Sequence, residues 1–295
     1  MLSIIISSYQ KDFYENLVEN INETIGEAFL YEILPIWNPK LMGICAAYNL
    51  GAKKSKFENL LFLHEDLIFK TKNWGEKLIS HLTQKNTGII GVAGSSYVPK
   101  APFSWTVAEK YNVVNILQGN KEDANSILLN STKSNRNKVF AVDGVFLAVK
   151  KEVFNQCKFD EDLLKGFHGY DLDFSLSVAK QFQNYVIDDI LIEHFSKGNL
   201  DCEWLQANIK VRQKHNFKFQ ERADAETERQ NFLGFLYKYF ECKPVNFKNL
   251  IFTLGFYPFW SLKMKDHYLI LKKYFNYFRY RADINKKQII TKLLK

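Results

Sequence analysis

The chain has few cysteines and prolines for its 295 residues, and it has no long hydrophobic run. Its 4 cysteines form no Cys-x-x-Cys pair, so the sequence predicts neither a zinc knuckle nor a redox motif. Such sparse cysteines are typical of a reducing cytoplasm. No stretch reaches the ~18 apolar residues of a membrane-spanning helix. Residues 1–8 are too short and lack the basic residues of a secretory signal, so we expect them to form a buried strand.

Acidic residues are scarce at the C-terminal end. Residues 231–295 carry 13 Lys and Arg against 3 Asp and Glu, and they hold 17 of the 45 aromatic residues. The excess of positive charge in the chain, a formal +8, therefore resides in this segment. The hydrophobic fraction of 46% indicates a globular chain with a sizeable core.

Strand-like and helix-like patterns alternate in the first hundred residues. Short apolar runs typical of buried strands alternate with stretches of helical spacing. The strands are predicted at 4–6, 31–36, 60–63 and 88–94, and the helices at 13–25, 41–52 and 74–84. Residues 95–137 are predicted to contain loops and a hairpin, and a helix is predicted at 171–182 before a strand at 185–192. This rhythm predicts an α/β fold, with a mostly parallel sheet and helices on both faces.

An acidic box follows the apolar run 60–63, namely His64-Glu65-Asp66. Open α/β sheets bind ligands at the carboxyl ends of their strands, and a carboxylate there can hold a divalent cation that binds phosphate. Asp171, Asp173 and His194 also stand at predicted strand ends or helix starts. Each alone is commonly a turn residue, a helix cap or a structural histidine. Their ordered occurrence favours a site.

With these motifs the chain resembles a glycosyltransferase family 2 enzyme of the GT-A fold, most closely the StrF-like branch. The resemblance covers roughly residues 1–215, so it divides the chain into a catalytic domain at 1–215 and a helical, basic and aromatic extension at 216–295. The motifs that carry it are Ser3–Tyr9, Ala47-Tyr48-Asn49-Leu50-Gly51-Ala52, the acidic box, Val142-Asp143-Gly144-Val145-Phe146-Leu147-Ala148, Phe159-Asp160-Glu161, Gly166-Phe167-His168-Gly169-Tyr170-Asp171-Leu172-Asp173-Phe174 and Glu193-His194-Phe195-Ser196-Lys197-Gly198.

The resemblance implies a nucleotide site at the end of the first strand. Ser8 and Tyr9 would line the base pocket, and Asn49 would lie near the nucleotide. His64 would contact ribose or phosphate, with Glu65 as a flanking residue of the same site. The implied donor is a nucleotide-diphosphate sugar, with UDP as the default base and GDP, dTDP or CDP open. The implied acceptor is a hydroxyl of a glycan or a lipid-linked glycan in bacterial surface glycan synthesis.

The resemblance also implies a metal and a base. Asp66 would coordinate Mn²⁺ or Mg²⁺ on the diphosphate, and His194 would be a further ligand or a phosphate contact. Asp171 resembles the catalytic base of an inverting single displacement, with Asp173 as the other candidate. If both open a helix, they point in different directions, so one can act as base while the other caps the helix or binds the acceptor.

His64 stands where the commoner family pattern has Asp, and it adds no fixed negative charge. This departure predicts weaker metal binding, or else a degenerate GT-A-like protein that binds sugar nucleotides or acts as a scaffold at the membrane. The basic, aromatic segment 231–295 fits two roles equally: a helical appendage packed on the catalytic domain, or attachment to an anionic bilayer. No nucleic-acid motif accompanies it. We expect a cytoplasmic protein, either free or at the inner face of the cytoplasmic membrane.

Overall fold

The computed structural model describes residues 1–120, 123–196 and 198–293, so Lys197 of the last motif and residues 294–295 of the predicted extension lie outside the described residues. The strands are β1 Leu2–Ser8, β2 Tyr31–Trp37, β3 Asn59–Leu63, β4 Leu67–Phe69, β5 Thr87–Gly91, β6 Ala93–Ser95, β7 Asn112–Asn120, β8 Asp123–Asn130, β9 Arg136–Val139, β10 Ala141–Val142, β11 Phe146–Lys150, β12 Gln183–Ile187 and β13 Ile192–His194. The helices are α1 Lys11–Thr24, α2 Ile44–Lys54, α3 Trp74–Leu82, α4 Lys151–Cys157, α5 Tyr170–Val178, α6 Cys202–Lys214, α7 Ala225–Cys242, α8 Phe247–Leu254, α9 Met264–Arg279 and α10 Arg281–Leu293.

The chain forms two compact units. The first unit comprises Met1–Tyr97 with Glu109–Asn199, and it contains every strand named above together with α1 to α5. The second unit comprises Val98–Ala108 with the described chain from Leu200 onward, and it contains α6 to α10. The first unit is therefore α/β and the second is helical.

The main sheet of the first unit has the order β2-β1-β3-β11-β5-β12-β9. Strand β1 is parallel to β2 and β3, and β12 is parallel to β5. Strand β11 is antiparallel to both of its neighbours, β3 and β5, and β9 is antiparallel to β12. The sheet is thus mixed, which corrects the expectation of a mostly parallel one.

The reversal of β11 has a topological cause. The chain between β5 and β11 forms the strands β6 to β10 rather than a crossover helix, and only a parallel return needs such a crossover. Strand β11 pairs Phe146 with Leu63, so its first residue lies beside the last residue of β3. The segment before β11, including Asp143 and Gly144, is thereby brought to the edge where β3 ends.

A second sheet, of order β10-β6-β7-β13-β4, lies in the same unit. Strands β7 and β8 form an antiparallel hairpin, which agrees with the hairpin predicted within 95–137. Strand β13 is antiparallel to β4 and pairs His194 with Leu67. This register places His194 opposite Leu67, the residue that directly follows the acidic box.

The buried runs of the main sheet account for its stability. Leu2, Ile4, Ile5 and Ile6 of β1 have no exposed surface, and the same is true of residues 60–63 in β3. Strands covered on both faces read as continuous apolar runs, which is why both runs were recognisable in the sequence. Helix α2 lies against β1 at Gly51, where an added Cβ would collide with the side chain of Ile5. Gly51 thus serves this close approach and does not end the helix, which continues to Lys54.

The second unit has its own aromatic core, and Phe232, Phe235 and Ile270 are fully buried in it. A disulfide joins Cys202 at the start of α6 to Cys242 at the end of α7, with the Cα atoms 5.6 Å apart. The sequence analysis did not predict this bond, and a disulfide is at odds with the reducing compartment that the sparse cysteines suggested. Among the described helices, none combines the length and the apolar character needed to cross a bilayer.

Candidate functional site

Three side chains of the first unit form a group that can hold a metal ion. One ligand atom each from His64, Asp66 and His194 lies within 4.8 Å of the other two. Oδ1 of Asp66 is 4.0 Å from Nδ1 of His64 and 3.5 Å from Nε2 of His194. The structure thus brings together the two predicted metal residues, and it adds His64, which was predicted to contact the nucleotide.

Two connections position these ligands. The box is the short link between β3, which ends at Leu63, and β4, which begins at Leu67. The N–H of Phe195 donates to the carbonyl oxygen of Asp66 at 3.0 Å, which extends the β13–β4 pairing as far as the box. Ser196 Oγ lies 3.1 Å from Nε2 of His194 and helps to fix that ring.

The charges in this group suit metal binding. Burial alone would raise the pKa of Asp66, but the hydrogen bond from His194 and the charges of His64 and His194 hold it well below its usual range. Burial lowers the pKa of His64, which favours the neutral imidazole. A metal requires a carboxylate and neutral imidazoles as ligands, so the residues present fit a divalent cation. Two imidazoles and one carboxylate offer both nitrogen and oxygen ligands to such a cation.

The two ring nitrogens of His64 face different partners: Nδ1 lies toward Asp66, and Nε2 contacts Tyr170. Nε2 of His64 is 2.6 Å from Oη of Tyr170, and the Tyr170 ring packs edge-on against Tyr48, whose hydroxyl donates to the carbonyl oxygen of Leu63 at 3.1 Å. Burial raises the pKa of both tyrosines above the ordinary range, so both phenols keep their protons. A metal ion bound to Nδ1 of His64 would leave the imidazole proton on Nε2, where the Tyr170 hydroxyl can accept it.

Asp171 directly follows Tyr170 in the first turn of α5. The helix follows Gly169, whose φ of 77° is the left-handed conformation that favours glycine. Oδ2 of Asp171 accepts a hydrogen bond from the N–H of Gly144 at 3.2 Å. Burial, and then the nearby charge of Asp143, raise the pKa of Asp171 to about 7. A carboxylate with this pKa can accept a proton near neutral pH.

Asp173 differs from Asp171 in exposure. Asp171 is partly exposed, whereas Asp173 is only 1% exposed. A base has to reach the proton that it removes, so the exposure of the two carboxylates favours Asp171.

Glu65 fixes the turn at the end of β1. Its Oε2 accepts hydrogen bonds from the hydroxyl of Ser8 and from the N–H groups of Tyr9 and Gln10, the last two at 3.1 Å. Its Oε1 has no hydrogen-bond partner among the described residues. Ser8 and Glu65 are therefore bonded to each other, whereas the Tyr9 side chain is 57% exposed.

Asn49 belongs to a different local network. Its amide nitrogen donates to the carbonyl oxygen of Phe159 and to Glu161, both at 2.9 Å, and its oxygen accepts from the N–H of Phe159 at 3.2 Å. These bonds tie α2 to the loop before α5. The side chain is not part of the group around Asp66, and its predicted place near the nucleotide stays a prediction.

Sequence reasoning assigned no role to four residues of this site. Tyr170 contacts His64, and Tyr48 packs against the ring of Tyr170. Gly144 leaves room for Tyr170, because an added Cβ would collide with the Tyr170 hydroxyl. Asp143 adds to the rise that burial causes in the pKa of Asp171. The one available signal was the Asp143-Gly144 pair that interrupts an otherwise apolar run.

The comparisons with solved structures indicate the fold. TarS residues 1–349 of S. aureus, solved with UDP, matches 97% of this chain and 88% of its own, with a TM-score of 0.55 and 10% identity. GalNAc-T7, solved with UDP, GalNAc and Mn²⁺, matches 72% of this chain with a TM-score of 0.50 and 13% identity. The match covers 47% of the GalNAc-T7 chain, so this chain corresponds to about half of that protein. Both likenesses are in fold, which confirms the GT-A expectation.

No curated protein sequence is significantly similar to this chain. A family model does match, under the description of a glycosyltransferase-like family, and the match covers residues 3–234. That span is well over half of the chain and includes every residue of the site. The α/β first unit, the metal-capable group at the end of β3 and this match together place the chain in the glycosyltransferase-like family.

Proposed function

We propose that the protein is an inverting, metal-dependent glycosyltransferase that moves a sugar from a nucleotide-diphosphate donor to a hydroxyl acceptor. One observation carries the proposal: Tyr170, the residue directly before Asp171, contacts His64 of the metal-capable group through its hydroxyl. A cation site for a diphosphate and a carboxylate with a pKa of about 7 thus lie within one small network.

The chain's own residues account for the proton and for the orientation of the ligands. Asp171 accepts the proton of the acceptor hydroxyl while the acceptor oxygen bonds to the anomeric carbon and the bond from that carbon to the diphosphate breaks. One displacement from the face opposite the leaving group inverts the anomeric centre. His64, Asp66 and His194 would hold a divalent cation, Mn²⁺ or Mg²⁺. When bound, that cation supplies positive charge for the diphosphate that leaves.

We propose that the nucleotide of the donor is UDP, because the structures of similar fold named above were solved with UDP. Tyr9 is the predicted base-pocket residue with the most exposed side chain. Glu65 would act at this site by holding the turn that carries Tyr9. The proposed acceptor is a glycan, free or lipid-linked, in bacterial surface glycan synthesis.

Calorimetry with UDP, with and without Mn²⁺, tests the proposal. We expect Mn²⁺ to strengthen UDP binding at least tenfold, and Asp66→Asn to abolish that gain. Asp162→Asn, an exposed carboxylate of the same unit, is the matched control and should keep it. Equal UDP affinity with and without metal in the natural chain would contradict the metal-dependent mechanism. Metal-dependent UDP binding without any sugar transfer would favour the degenerate, scaffold alternative.

We also propose that helix α9 attaches the second unit to an anionic bilayer. Its large apolar side chains at positions spaced four and three residues apart form one exposed stripe, namely Met264, Tyr268, Leu271, Phe275 and Phe278. Lys265, Lys272 and Lys273 flank the stripe, and each cation near an anionic membrane surface contributes about 1 kcal/mol. An exposed apolar stripe rimmed by cations is typical of a helix that lies in the membrane interface.

A further inference from the structure

The second unit contains a cavity of about 220 Å³ that no part of the proposed reaction uses. Its lining includes three cationic residues, Lys100, Arg212 and Lys218, and one acidic residue, Glu228. All of its lining residues belong to the second unit. The volume is below the several hundred Å³ typical of sites for drug-sized ligands, so the cavity suits a small group or one end of a larger molecule.

Arg212 is the central cation of this cavity. It is 6% exposed, and its Nη1 donates to the carbonyl oxygen of His215 at 2.7 Å, but its Nε has no hydrogen-bond partner among the described residues. Burial lowers the pKa of Arg212 to about 10, with Glu228 opposing that shift, so the guanidinium stays charged at neutral pH. The guanidinium therefore adds a buried positive charge to the lining of the cavity.

The walls around Arg212 are held by hydrogen bonds that exist without a ligand. The side chain of Gln220 accepts from the N–H of Val98 at 3.3 Å and donates to its carbonyl oxygen at 3.1 Å. The N–H of Lys100 donates to Glu228 at 3.0 Å. The cavity is therefore preformed, which lowers the entropy cost of binding.

The charges and the rim indicate the class of ligand. Three cations against one carboxylate leave a net positive lining, and a guanidinium matches the geometry of phosphate oxygens. Two aromatic residues of the lining are exposed: Phe217 at 42% and Trp260 at 92%. Trp260 thus offers an apolar surface directly beside the cationic lining.

We propose that this cavity is a binding site for a phosphate group, with Arg212, Lys100 and Lys218 as its cationic contacts. A phosphate group can belong to a soluble molecule or to a lipid headgroup. The exposed rings of Trp260 and Phe217 favour the headgroup, because they can contact the apolar part of an amphiphile while its phosphate enters the cavity.

Calorimetry on the full-length chain tests the site, with inorganic phosphate and dihexanoyl phosphatidic acid below its micelle concentration as probes. Divalent cations are omitted and the chain carries Asp66→Asn, so that a failure of the metal site cannot affect the outcome. We expect saturable binding of at least one probe, weakened tenfold or more by Arg212→Gln and several-fold by Lys218→Gln. Lys218 is exposed, so its replacement keeps the test valid if the Arg212 variant does not fold.

Lys248→Gln is the control, because Lys248 is an exposed cation of the same unit outside the cavity lining. Binding that Lys248→Gln weakens as much as Lys218→Gln, or no binding of either probe, would overturn the proposal. Trp260→Ala separates the two sources. If Trp260→Ala weakens the binding of phosphatidic acid and leaves the binding of inorganic phosphate unchanged, the ligand is a lipid headgroup. If Trp260→Ala changes the affinity for neither probe, the ligand is a soluble phosphate compound.

Discussion

Asp171 owes its raised pKa first to burial and then to the charge of the nearby Asp143. A base acts in its deprotonated form, and the raised pKa of Asp171 means that this form predominates only above pH about 7. Below that pH the proton stays on Asp171, and it cannot accept the proton of the acceptor hydroxyl. The burial that makes Asp171 a stronger base thus also makes transfer sensitive to mild acid.

We therefore expect kcat/KM for transfer to fall about tenfold per pH unit below pH 7. Asp143→Asn removes the neighbouring charge, so it should move the midpoint of this profile to lower pH.

Asp171→Asn should reduce transfer by about 10²- to 10⁴-fold while UDP affinity is kept. Profiles measured at saturating metal check these results. If the midpoint of the pH profile does not move in Asp143→Asn, the proposed effect of Asp143 on Asp171 is wrong. Near-normal turnover of Asp171→Asn would make Asp173 the next candidate for the base.

Tyr170 orients the ring of His64, so its hydroxyl should matter for metal binding as well as for structure. Tyr170→Phe keeps the ring and removes the acceptor for the Nε2 proton of His64. We expect Mn²⁺ affinity, measured by electron paramagnetic resonance, to fall about 10- to 100-fold, as is usual for partners of metal ligands. Tyr237→Phe, at an exposed tyrosine of the second unit, should not change it. Unchanged affinity in Tyr170→Phe would show that another contact holds the ring.

At the scale of elements, the reversed strand β11 distinguishes this site from a simple parallel sheet. Because β11 runs opposite to β3, the segment before it reaches the same sheet edge as the acidic box. The N–H of Gly144 can then bond to Asp171, and Tyr170 can reach His64. One strand direction thus brings the predicted base and the metal-capable group into one network.

Gly144→Ala tests this junction. The added Cβ would collide with the hydroxyl of Tyr170 and press on Asp171, so the start of α5 would have to shift. We expect a loss of about 1–3 kcal/mol in the free energy of unfolding, with transfer reduced further than stability alone explains. Gly166→Ala is the matched control, because its Cβ would meet no atom within 4 Å. Denaturant unfolding and transfer assays measure both effects, and equal behaviour of the two variants would refute the close approach.

At the scale of the whole molecule, the second unit combines the apolar stripe of α9 with the basic charge of the C-terminal segment. Phe232, Phe235 and Ile270 are buried in its core, whereas the side chains of the stripe lie outside that core. Large exposed apolar surfaces on folded proteins mark interaction sites. The composition of residues 231–295 therefore reflects two layers, one packed inside the unit and one facing outward.

Flotation of the full-length chain with vesicles tests the membrane proposal. We expect binding to vesicles that contain phosphatidylglycerol, weaker binding to neutral vesicles, and a loss of about tenfold or more in Leu271→Ser/Phe275→Ser. Asn276→Ser, an exposed polar position on the same helix, is the control. Since spacing of four and three also fits a coiled coil, size-exclusion chromatography accompanies the assay. A dimer that Leu271→Ser/Phe275→Ser disrupts, together with no flotation, would assign the stripe to a second copy instead.

Much of this protein could be predicted from the sequence alone, because continuous apolar runs and ordered motifs are local signals. The runs of β1 and β3, the α/β class, the GT-A family resemblance and the candidate residues Asp66, Asp171 and His194 were all visible in that way. The direction of β11 was not, since it depends on strand pairing between distant segments. Only the tertiary structure placed His64 among the metal-capable residues and showed the hydrogen bond between Ser8 and Glu65. It also showed the hydrogen bonds of Asn49 with Phe159 and the disulfide between Cys202 and Cys242. Each of these depends on which distant side chains meet, and that is decided when the elements pack.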